Sequence, residues 1–333
     1  MNSDPMFQQF AAFWILCAGA SVGSFLNVVV YRMPAGLSIV RPGSFCPLCR
    51  HTIRWYDNVP VFSWFILRGR CRDCRSPFSV RYAGVEAFTA ALFVVLAVVE
   101  CFSGTANLPH AQINAGGGSG DVSWGIYAYH LVLLTTLICA GLIEFDGKLI
   151  AWPLAMPALV VGLGLPVIWS GLHPVPVHAS IHLTVPPTWL AGAMDGLAGL
   201  VVGLSLGWLG GAGGLSRWSQ ARRSPIMGCT LCGVFLGWQA VCGLAGVASI
   251  AHLACAGLGR MYKPVSRISW PAILAFGALL YITYWKMLSE SVYGLHPAAD
   301  WRTLAVGAAT VLVFSTFRRM VDTERNGEAG MAK

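Results

Sequence analysis

Long apolar runs, each near the length needed to cross a bilayer, recur along almost the whole chain. A membrane-spanning helix needs about 20 mostly apolar residues, and the mean hydropathy of the chain is +0.64. Charged residues make up 11% of the 333, against roughly 25% in a soluble domain. These features exclude a soluble globular protein. They predict an all-α polytopic membrane protein that is embedded in a lipid bilayer.

The apolar runs predict a bundle of eight or nine transmembrane helices. Candidate spans are residues 10–31, 83–103, 125–145, 149–170, 188–213, 226–243, 244–258, 268–288 and 302–317. The stretch 226–258 is long for one crossing, and the Gly243–Gly246 region could turn. It is therefore read either as one span or as two.

Basic residues are concentrated in alternate loops. The linkers 104–124 and 171–187 contain no Lys or Arg, whereas 32–82, 214–225, 259–267 and the C-terminal tail are basic. Basic loops of membrane proteins face the cytoplasm. The pattern therefore predicts nine spans in the inner (cytoplasmic) membrane, with the N-terminus outside and the C-terminus in the cytosol. The net charge of +8 then records orientation, and no nucleic-acid partner is expected.

The hydrophilic segment 32–82 contains two Cys-x-x-Cys pairs, Cys46/Cys49 and Cys71/Cys74. Two such pairs at this spacing are typical of a zinc ion held by four thiolates. The alternative is two disulfides, but the predicted cytosolic position is reducing and favours zinc. Nine arginines in the segment could offset the negative charge of the metal centre.

The predicted organisation has four parts, in chain order. A first transmembrane helix (1–31) is followed by the cytosolic tetracysteine insertion (32–82). A transmembrane helical bundle (83–317) and a cytosolic tail (318–333) complete the chain. The insertion is small compared with the bundle, so most of the fold is expected to depend on packing between helices.

Acidic residues within or at the edge of spans are costly and are candidates for function. Glu144 and Asp146 lie at the predicted cytoplasmic end of the third span. Two carboxylates two residues apart do not share a helix face unless the helix ends between them, which Gly147 makes plausible. From these residues alone a plain helix end is the simpler interpretation. Asp195 lies deeper, where structural and functional roles are equally open. For Glu86, near the start of the second span, a structural role is favoured over a functional one, because an acid there suits the helix dipole.

Several stretches resemble the bacterial type IV prepilin peptidases. GSFLNVVVYRMP at 23–34 resembles the opening motif of that family, and RYAGVEAFTA at 81–90 matches the entry to its second helix. The two cysteine pairs resemble its zinc-binding insertion. FLGWQA at 235–240 and ISWPAILAFGALL at 268–280 resemble its later helices. The resemblance implies a membrane aspartic peptidase that cleaves prepilin-like membrane proteins and also N-methylates them, with S-adenosylmethionine as a possible cofactor.

The resemblance also implies where the catalytic acids belong, and this chain departs from the pattern twice. The family uses two aspartates at the cytosolic membrane face to activate a water. Glu144 takes the place of the first, with Asp146 matching the second acid of the same Asp-x-Asp stretch. The second catalytic aspartate, in a Gly-x-Gly-Asp motif, would fall at 222–225, where Pro225 replaces it and Met227 takes the place of a lysine.

Three hypotheses follow. The first is a working leader peptidase and N-methyltransferase, acting on precursors of type IV pilins or type II secretion pseudopilins, with a rebuilt acid pair such as Glu144 or Asp146 with Asp195. The second is a catalytically inactive relative that acts as a membrane scaffold. The third is a zinc-bearing subunit of a secretion or pilus assembly machine, with methylation as its only chemistry.

Overall fold

The computed structural model describes residues 5–103, 119–169, 172–173, 187–211, 220–258, 268–290, 305–313 and 316. This part of the chain is helical, apart from turns and two isolated β-bridges, which confirms the all-α prediction. The helices are α1 (Pro5–Arg32), α2 (Phe62–Ile66), α3 (Arg81–Ala97), α4 (Ser119–Phe145), α5 (Met156–Ile168), α6 (Thr188–Gly210), α7 (Gln220–Leu236), α8 (Trp238–Leu258), α9 (Trp270–Thr283) and α10 (Trp285–Glu290). The loop 259–267 and the tail 318–333 lie outside the described residues.

Five helical stretches are long and apolar enough to cross a membrane. They are Pro5–Ala35, Arg81–Phe102, Trp124–Phe145, Thr188–Gly210 and Trp238–Cys255. Three shorter apolar helices coincide with further candidate spans, namely Trp152–Ile168, Arg223–Leu236 and Trp270–Thr283. The total of eight or nine spans and the orientation of the termini remain predictions.

The stretch 226–258 forms two helices, α7 and α8, but the break lies at Gly237 rather than in the Gly243–Gly246 region. Gly237 has φ +91°, a conformation that residues with a Cβ rarely adopt. Gly243 lies within α8, where its flexibility is not used. The expected position of the turn was therefore wrong by about six residues, because a glycine only permits a break and does not require one.

The chain divides into two compact units, Met1–Thr105 and Ala106–Lys333, here called the N-terminal and C-terminal units. In the N-terminal unit, α1 and α3 pack antiparallel with their backbones close together. A Cβ on Gly19 would lie 2.8 Å from the Cα of Ala90, and one on Gly23 would lie 2.7 Å from the Cα of Glu86. Small residues of this kind are the usual means of close helix packing in membranes.

The boundaries at 31, 82 and 317, predicted between the first helix, the insertion, the bundle and the tail, remain predictions.

In the C-terminal unit, α6 and α7 meet along a glycine seam, defined by Gly199, Gly203 and Gly207 of α6. A Cβ on Gly199 would lie 2.0 Å from the carbonyl oxygen of Gly233, and one on Gly207 would lie 2.5 Å from the Cα of Ile226. The two backbones are therefore in contact and run antiparallel. This close packing follows from the high density of small residues in α6.

Candidate functional site

The four predicted metal ligands converge in the N-terminal unit. The Sγ atoms of Cys46, Cys49, Cys71 and Cys74 all lie within 4.8 Å of one another. Those of Cys46 and Cys74 are 3.7 Å apart, close to the roughly 3.8 Å edge of a tetrahedron with Zn–S bonds of about 2.3 Å. All four are free thiols rather than disulfides. The cluster could hold a metal ion, as its spacing predicted.

The two cysteine turns have the same backbone geometry. In each turn the N–H of the first cysteine, Cys46 or Cys71, donates to the carbonyl oxygen of the residue five positions later at 2.9 Å. Its carbonyl oxygen accepts from the N–H of the arginine four positions later, Arg50 or Arg75, at 2.9 and 3.0 Å. Both arginines have a left-handed backbone, with φ +61° and +60°. The signal in the sequence is a repeated Cys-x-x-Cys-Arg, which the sequence analysis missed.

Hydrogen bonds within the cluster favour the thiolate form of two of its four cysteines. A hydrogen bond from the backbone of Cys49 lowers the pKa of Cys46 to about 6. A hydrogen bond with the hydroxyl of Ser76 lowers the pKa of Cys74. Because the thiolate rather than the thiol is the metal ligand, these two shifts favour a cation at Cys46 and Cys74. Burial and the neighbouring thiols raise the pKa of Cys49 to about 12, so the cluster as a whole carries fewer than four thiolates until a cation binds.

Three arginines around the cluster have partners other than the thiolates. Arg72 binds Asp57 through two hydrogen bonds of 2.7 and 2.5 Å, which lower the pKa of the Asp57 carboxyl. Arg54 lies 3.3 Å from Asp73, and the guanidinium of the buried Arg32 donates to three carbonyl oxygens of the loop that follows α1. These three arginines therefore stabilise the fold of the segment, and the neutralisation of the thiolates by its arginines stays a prediction.

A strained turn lies at Val61, between the two cysteine pairs. Val61 has φ +65° and ψ −56°, and the N–H of Phe62 donates to the carbonyl oxygen of Pro60 at 2.7 Å. These are the marks of a γ-turn with positive φ, which is rare and strained. Such a conformation in a residue with a Cβ costs about 1–3 kcal/mol, so other contacts must hold it.

Glu86 supplies one of those contacts. Its Oε2 accepts a hydrogen bond from the N–H of Val61 at 2.6 Å. A structural role was expected for Glu86 from the helix dipole, but α3 begins at Arg81 and has no acid in its first turn. The dipole acts only within that turn, so the structural role has a different cause: the Glu86 carboxylate binds a loop 25 residues earlier.

In the C-terminal unit, α4 ends at the acid pair, as Gly147 predicted. The N–H of Gly147 donates to the carbonyl oxygen of Glu144 at 2.8 Å, and the N–H of Lys148 donates to that of Ile143 at 3.1 Å. With Gly147 at φ +70°, this is a Schellman helix end. Acids at the C-terminal end of a helix oppose its dipole. Local helix formation therefore does not explain why Glu144 and Asp146 stand there.

Ser224 of α7 is the side chain that the structure brings to Glu144. Its Oγ donates to Oε2 of Glu144 at 2.5 Å, and Ser224 is 1% exposed. The resemblance placed a catalytic aspartate at 222–225, so the expected segment does reach the acid pair, with a hydroxyl in place of a carboxyl. Ser224 was not among the predicted site residues, although its position next to Pro225 was a usable signal.

Asp195 does not lie at the level of the Glu144–Ser224 contact. It lies on α6 and is 2% exposed, twelve residues before Gly207, which packs against Pro225 and Ile226 of α7. At 1.5 Å per residue, twelve residues separate the two levels by about 18 Å. Asp195 and Glu144 therefore do not form the acid pair that the first hypothesis suggested. Asp146 is exposed beside Glu144 at the helix end.

Comparison with known proteins gives a consistent set of relatives. Residues 17–100 match the family model for the bacterial peptidase A24 N-terminal domain. A prepilin leader peptidase/N-methyltransferase of Myxococcus xanthus is 38% identical over 156 residues, which cover 47% of this chain and 40% of the relative. A similar protein of Klebsiella pneumoniae is 32% identical over 173 residues, covering 49% of this chain and 63% of the relative. No solved structure matches the chain.

One relative is matched over most of its length. The type 4 prepilin-like proteins leader peptide-processing enzyme of Escherichia coli O78:H11 is 31% identical over 277 residues. That alignment covers 76% of this chain and 86% of the relative. The chain therefore belongs to the prepilin leader peptidase/N-methyltransferase family.

Proposed function

We propose that this protein is an inner-membrane leader peptidase that cleaves type IV pilin-like or type II pseudopilin precursors at the cytosolic membrane face. The observation that carries the proposal is the 2.5 Å hydrogen bond between Ser224 and Glu144. It joins the two segments on which the family resemblance places the catalytic groups. They are 80 residues apart in sequence, so local structure does not account for their meeting.

The proposed chemistry is hydrolysis by a water that a carboxylate activates. Glu144 accepts a proton from the water, whose oxygen attacks the scissile carbonyl carbon, and Asp146 gives a proton to the leaving amine. Paired acids divide the roles of base and acid in this way. Ser224, by donating to Oε2, fixes the orientation of the Glu144 carboxylate. Ser224 is thus a positioning residue.

A second candidate function is favoured by Pro225. This residue stands where the family resemblance expects the second catalytic aspartate, and Asp195 lies about 18 Å along the helix from that level. A membrane protein that binds precursors without cleaving them, either as a scaffold or as a zinc-bearing subunit of an assembly machine, would need no acid at 225. In this candidate function the cysteine cluster remains a metal site, and the transmembrane helices bind the precursor.

Zinc is the metal that we propose for the cysteine cluster. Four thiolates from the protein complete a tetrahedron and leave no open position, which is typical of a structural zinc and not of a catalytic one. S-adenosylmethionine is the methyl donor that we propose for the transferase activity, because the relatives in Myxococcus and Klebsiella carry N-methyltransferase in their names.

The test is to co-express the full chain with a prepilin-like precursor and to measure the size of the precursor on a gel. We expect the wild-type protein to shorten the precursor and Glu144→Gln to leave it at full length. Ser224→Ala should slow cleavage by about 10–100-fold, because small misplacements of a catalytic group have effects of this size, and Ser224→Thr should restore part of the rate. Ser205→Ala is the matched control, since Ser205 is an exposed serine of α6 that bonds only its own helix.

Three results would count against the proposal. Cleavage that is unchanged in Glu144→Gln would remove Glu144 from the reaction. A stable, zinc-loaded protein that never shifts the precursor would favour the non-cleaving function. Loss of cleavage in Asp195→Asn, with the protein still folded, would return Asp195 to the site.

A further inference from the structure

The α2 segment, defined as residues 58–70 between the two cysteine pairs, folds back along the membrane helices of the N-terminal unit. The N–H of Val61 donates to Oε2 of Glu86 at 2.6 Å, and Glu86 lies about 7.5 Å along α3 from Arg81, at 1.5 Å per residue. On the other helix, Gly23 packs against Glu86, nine residues before the end of α1. The segment therefore reaches back beside both helices instead of extending beyond their ends.

The length of the α3 span places this level at the surface of the bilayer. The span Arg81–Phe102 has 22 residues and rises about 33 Å, whereas the hydrocarbon layer is about 30 Å thick. Because the span has almost no length to spare, its first residue lies at the edge of the hydrocarbon layer. Glu86 and the Val61 turn then lie about 5–10 Å below that edge, which is the depth at which interfacial helices bury their apolar faces.

An exposed apolar residue of the α1 span adjoins the α2 segment. Phe25 lies within the candidate span Pro5–Ala35 and is 50% exposed. It lines a groove of about 360 Å³ whose lining also includes Asn58 and Pro60. The α2 segment therefore continues the apolar surface of a membrane span.

Helix α2 turns an apolar face away from the rest of the N-terminal unit. Phe62, Phe65 and Ile66 are 68, 63 and 69% exposed, and their spacing of three and four residues puts them on one face of the helix. Ser63 is buried instead, and its hydroxyl donates to the carbonyl oxygen of Tyr56. Helices of soluble proteins turn their apolar face to the core, so this inverted arrangement needs an apolar environment outside the unit.

Positive charge lies beside this apolar face. Arg68 and Arg70 follow α2 directly and are exposed, and neither forms an ion pair with any residue that the structure describes. Segment 32–82 has nine arginines and two aspartates, so it stays positive even when four thiolates surround a divalent zinc. Basic residues next to an apolar helix face are typical of elements that bind anionic lipid headgroups.

We propose that the α2 segment is an interfacial element that binds anionic phospholipids of the bilayer in which the protein sits. Phe62, Phe65 and Ile66 enter the boundary between the headgroups and the acyl chains, and Arg68 and Arg70 contact the phosphates. The depth of the apolar face and the positive charge beside it together select this occupant. These contacts hold the insertion against the membrane surface.

The test is photo-cross-linking of the full-length, zinc-loaded protein in nanodiscs of equal parts phosphatidylcholine and phosphatidylglycerol. One lipid at a time carries a diazirine near the carbonyl end of an acyl chain, and mass spectrometry identifies the labelled peptides. We expect lipid adducts on residues 58–70, with a several-fold higher yield from phosphatidylglycerol than from phosphatidylcholine. No adducts there, or equal yields from the two lipids, would overturn the proposal.

Phe62→Ser combined with Phe65→Ser removes most of the apolar face. We expect the adduct yield on residues 58–70 to fall about tenfold, because each phenylalanine contributes strongly to transfer out of water. Leu48→Ser is the matched control, since Leu48 is 73% exposed but lies on the first cysteine turn, and its yield should equal that of the wild type. An unchanged yield in the double variant, with its zinc content intact, would contradict the proposal.

Arg68→Gln combined with Arg70→Gln tests the charge. We expect equal yields from the two lipids in this variant, because the side chains that favour the anionic headgroup are gone. Arg50→Gln combined with Arg75→Gln is the matched control, since it removes the same charge from two exposed arginines of the cysteine turns. A preference for phosphatidylglycerol that persists in the first variant, or that is lost equally in the second, would overturn the assignment.

Glu86→Ala tests the depth of the segment. Without the carboxylate the Val61 N–H loses its acceptor, so we expect the adduct yield to fall several-fold, whereas Glu86→Gln can still accept and should keep it. Equal yields in the two variants would overturn the placement of the segment by this contact. Loss of the lipid adducts when a prepilin-like precursor is added to the nanodiscs would identify a precursor-binding surface and overturn the lipid assignment.

Discussion

The cysteine cluster and the Glu144–Ser224 contact differ in how far apart along the chain their partners lie. The cluster is built from two turns of the same local geometry, and all four ligands fall between Cys46 and Cys74. The acid site needs a helix end and a second helix 80 residues later. Local spacing therefore specifies the first site, whereas only the packing of the C-terminal unit specifies the second.

The two sites also differ in completeness. The cluster has every ligand that a tetrahedral metal requires. The acid site has its first carboxyl, but a hydroxyl and a proline stand where the resemblance expects the second acid. A four-ligand site fails when one ligand is lost, whereas an acid held by one hydrogen bond can lose that bond and keep its fold. The comparison thus predicts effects of different sizes at the two places.

The largest expected effect is at the cluster. Cys46→Ser leaves three thiolates, which cannot close the site, and zinc binding supplies about 10 kcal/mol or more of folding free energy in small zinc domains. We expect the bound zinc to fall from about one ion per chain to near zero, with proteolysis appearing between residues 44 and 78. Cys17→Ser, at an exposed position on α1, is the control. Full zinc content in Cys46→Ser would contradict the four-ligand site.

The next largest effect is expected at the glycine seam, which packs α6 against α7, the helix that carries Ser224. Gly199→Val would place a Cβ only 2.0 Å from the carbonyl oxygen of Gly233, and a backbone atom cannot move aside easily. We expect the free energy of unfolding to fall by roughly 1–3 kcal/mol or more. We also expect a thiol reagent to label the buried Cys229 faster than in the wild type. Gly243→Ala, a helical position with no atom nearby, should be neutral or slightly stabilising. Equal labelling of the two variants would show that the seam is not tight.

The smallest effect is at the Arg72–Asp57 pair. Hydrogen bonding to Arg72 lowers the pKa of Asp57, so the pair stabilises the fold above the ordinary aspartate pKa of about 3.9 and loses that effect as the pH falls through the lowered value. Asp57→Asn should therefore speed hydrogen exchange at the Cys46 and Cys71 amides by less than about fivefold. The ratio to the wild-type rate should be constant from pH 5 to 8, and a ratio that changed within this range would contradict the assignment.

The sequence predicted most of what depends on neighbouring residues. Helical class, the convergence of the cysteines and the helix end at Gly147 all follow from spacing and turn chemistry. It did not predict Ser224 as the partner of Glu144, the distance of Asp195 from that partner, or the role of Glu86. Each of these depends on which helices or loops pack together, and residue identity alone carries no such information. The wrong turn position in 226–258 has the same cause, because several glycines could break the helix and packing decided which did.

The length of α7 bears on what surrounds the acid site. Its apolar part, Arg223–Leu236, rises about 21 Å at 1.5 Å per residue, whereas the hydrocarbon layer of a bilayer is about 30 Å thick. Almost every residue from Ser224 to Leu236 is buried, so neighbouring helices and not lipid cover this short segment. The contact between Ser224 and Glu144 is therefore enclosed by protein on the α7 side, and a precursor would have to approach it from the side of the exposed Asp146.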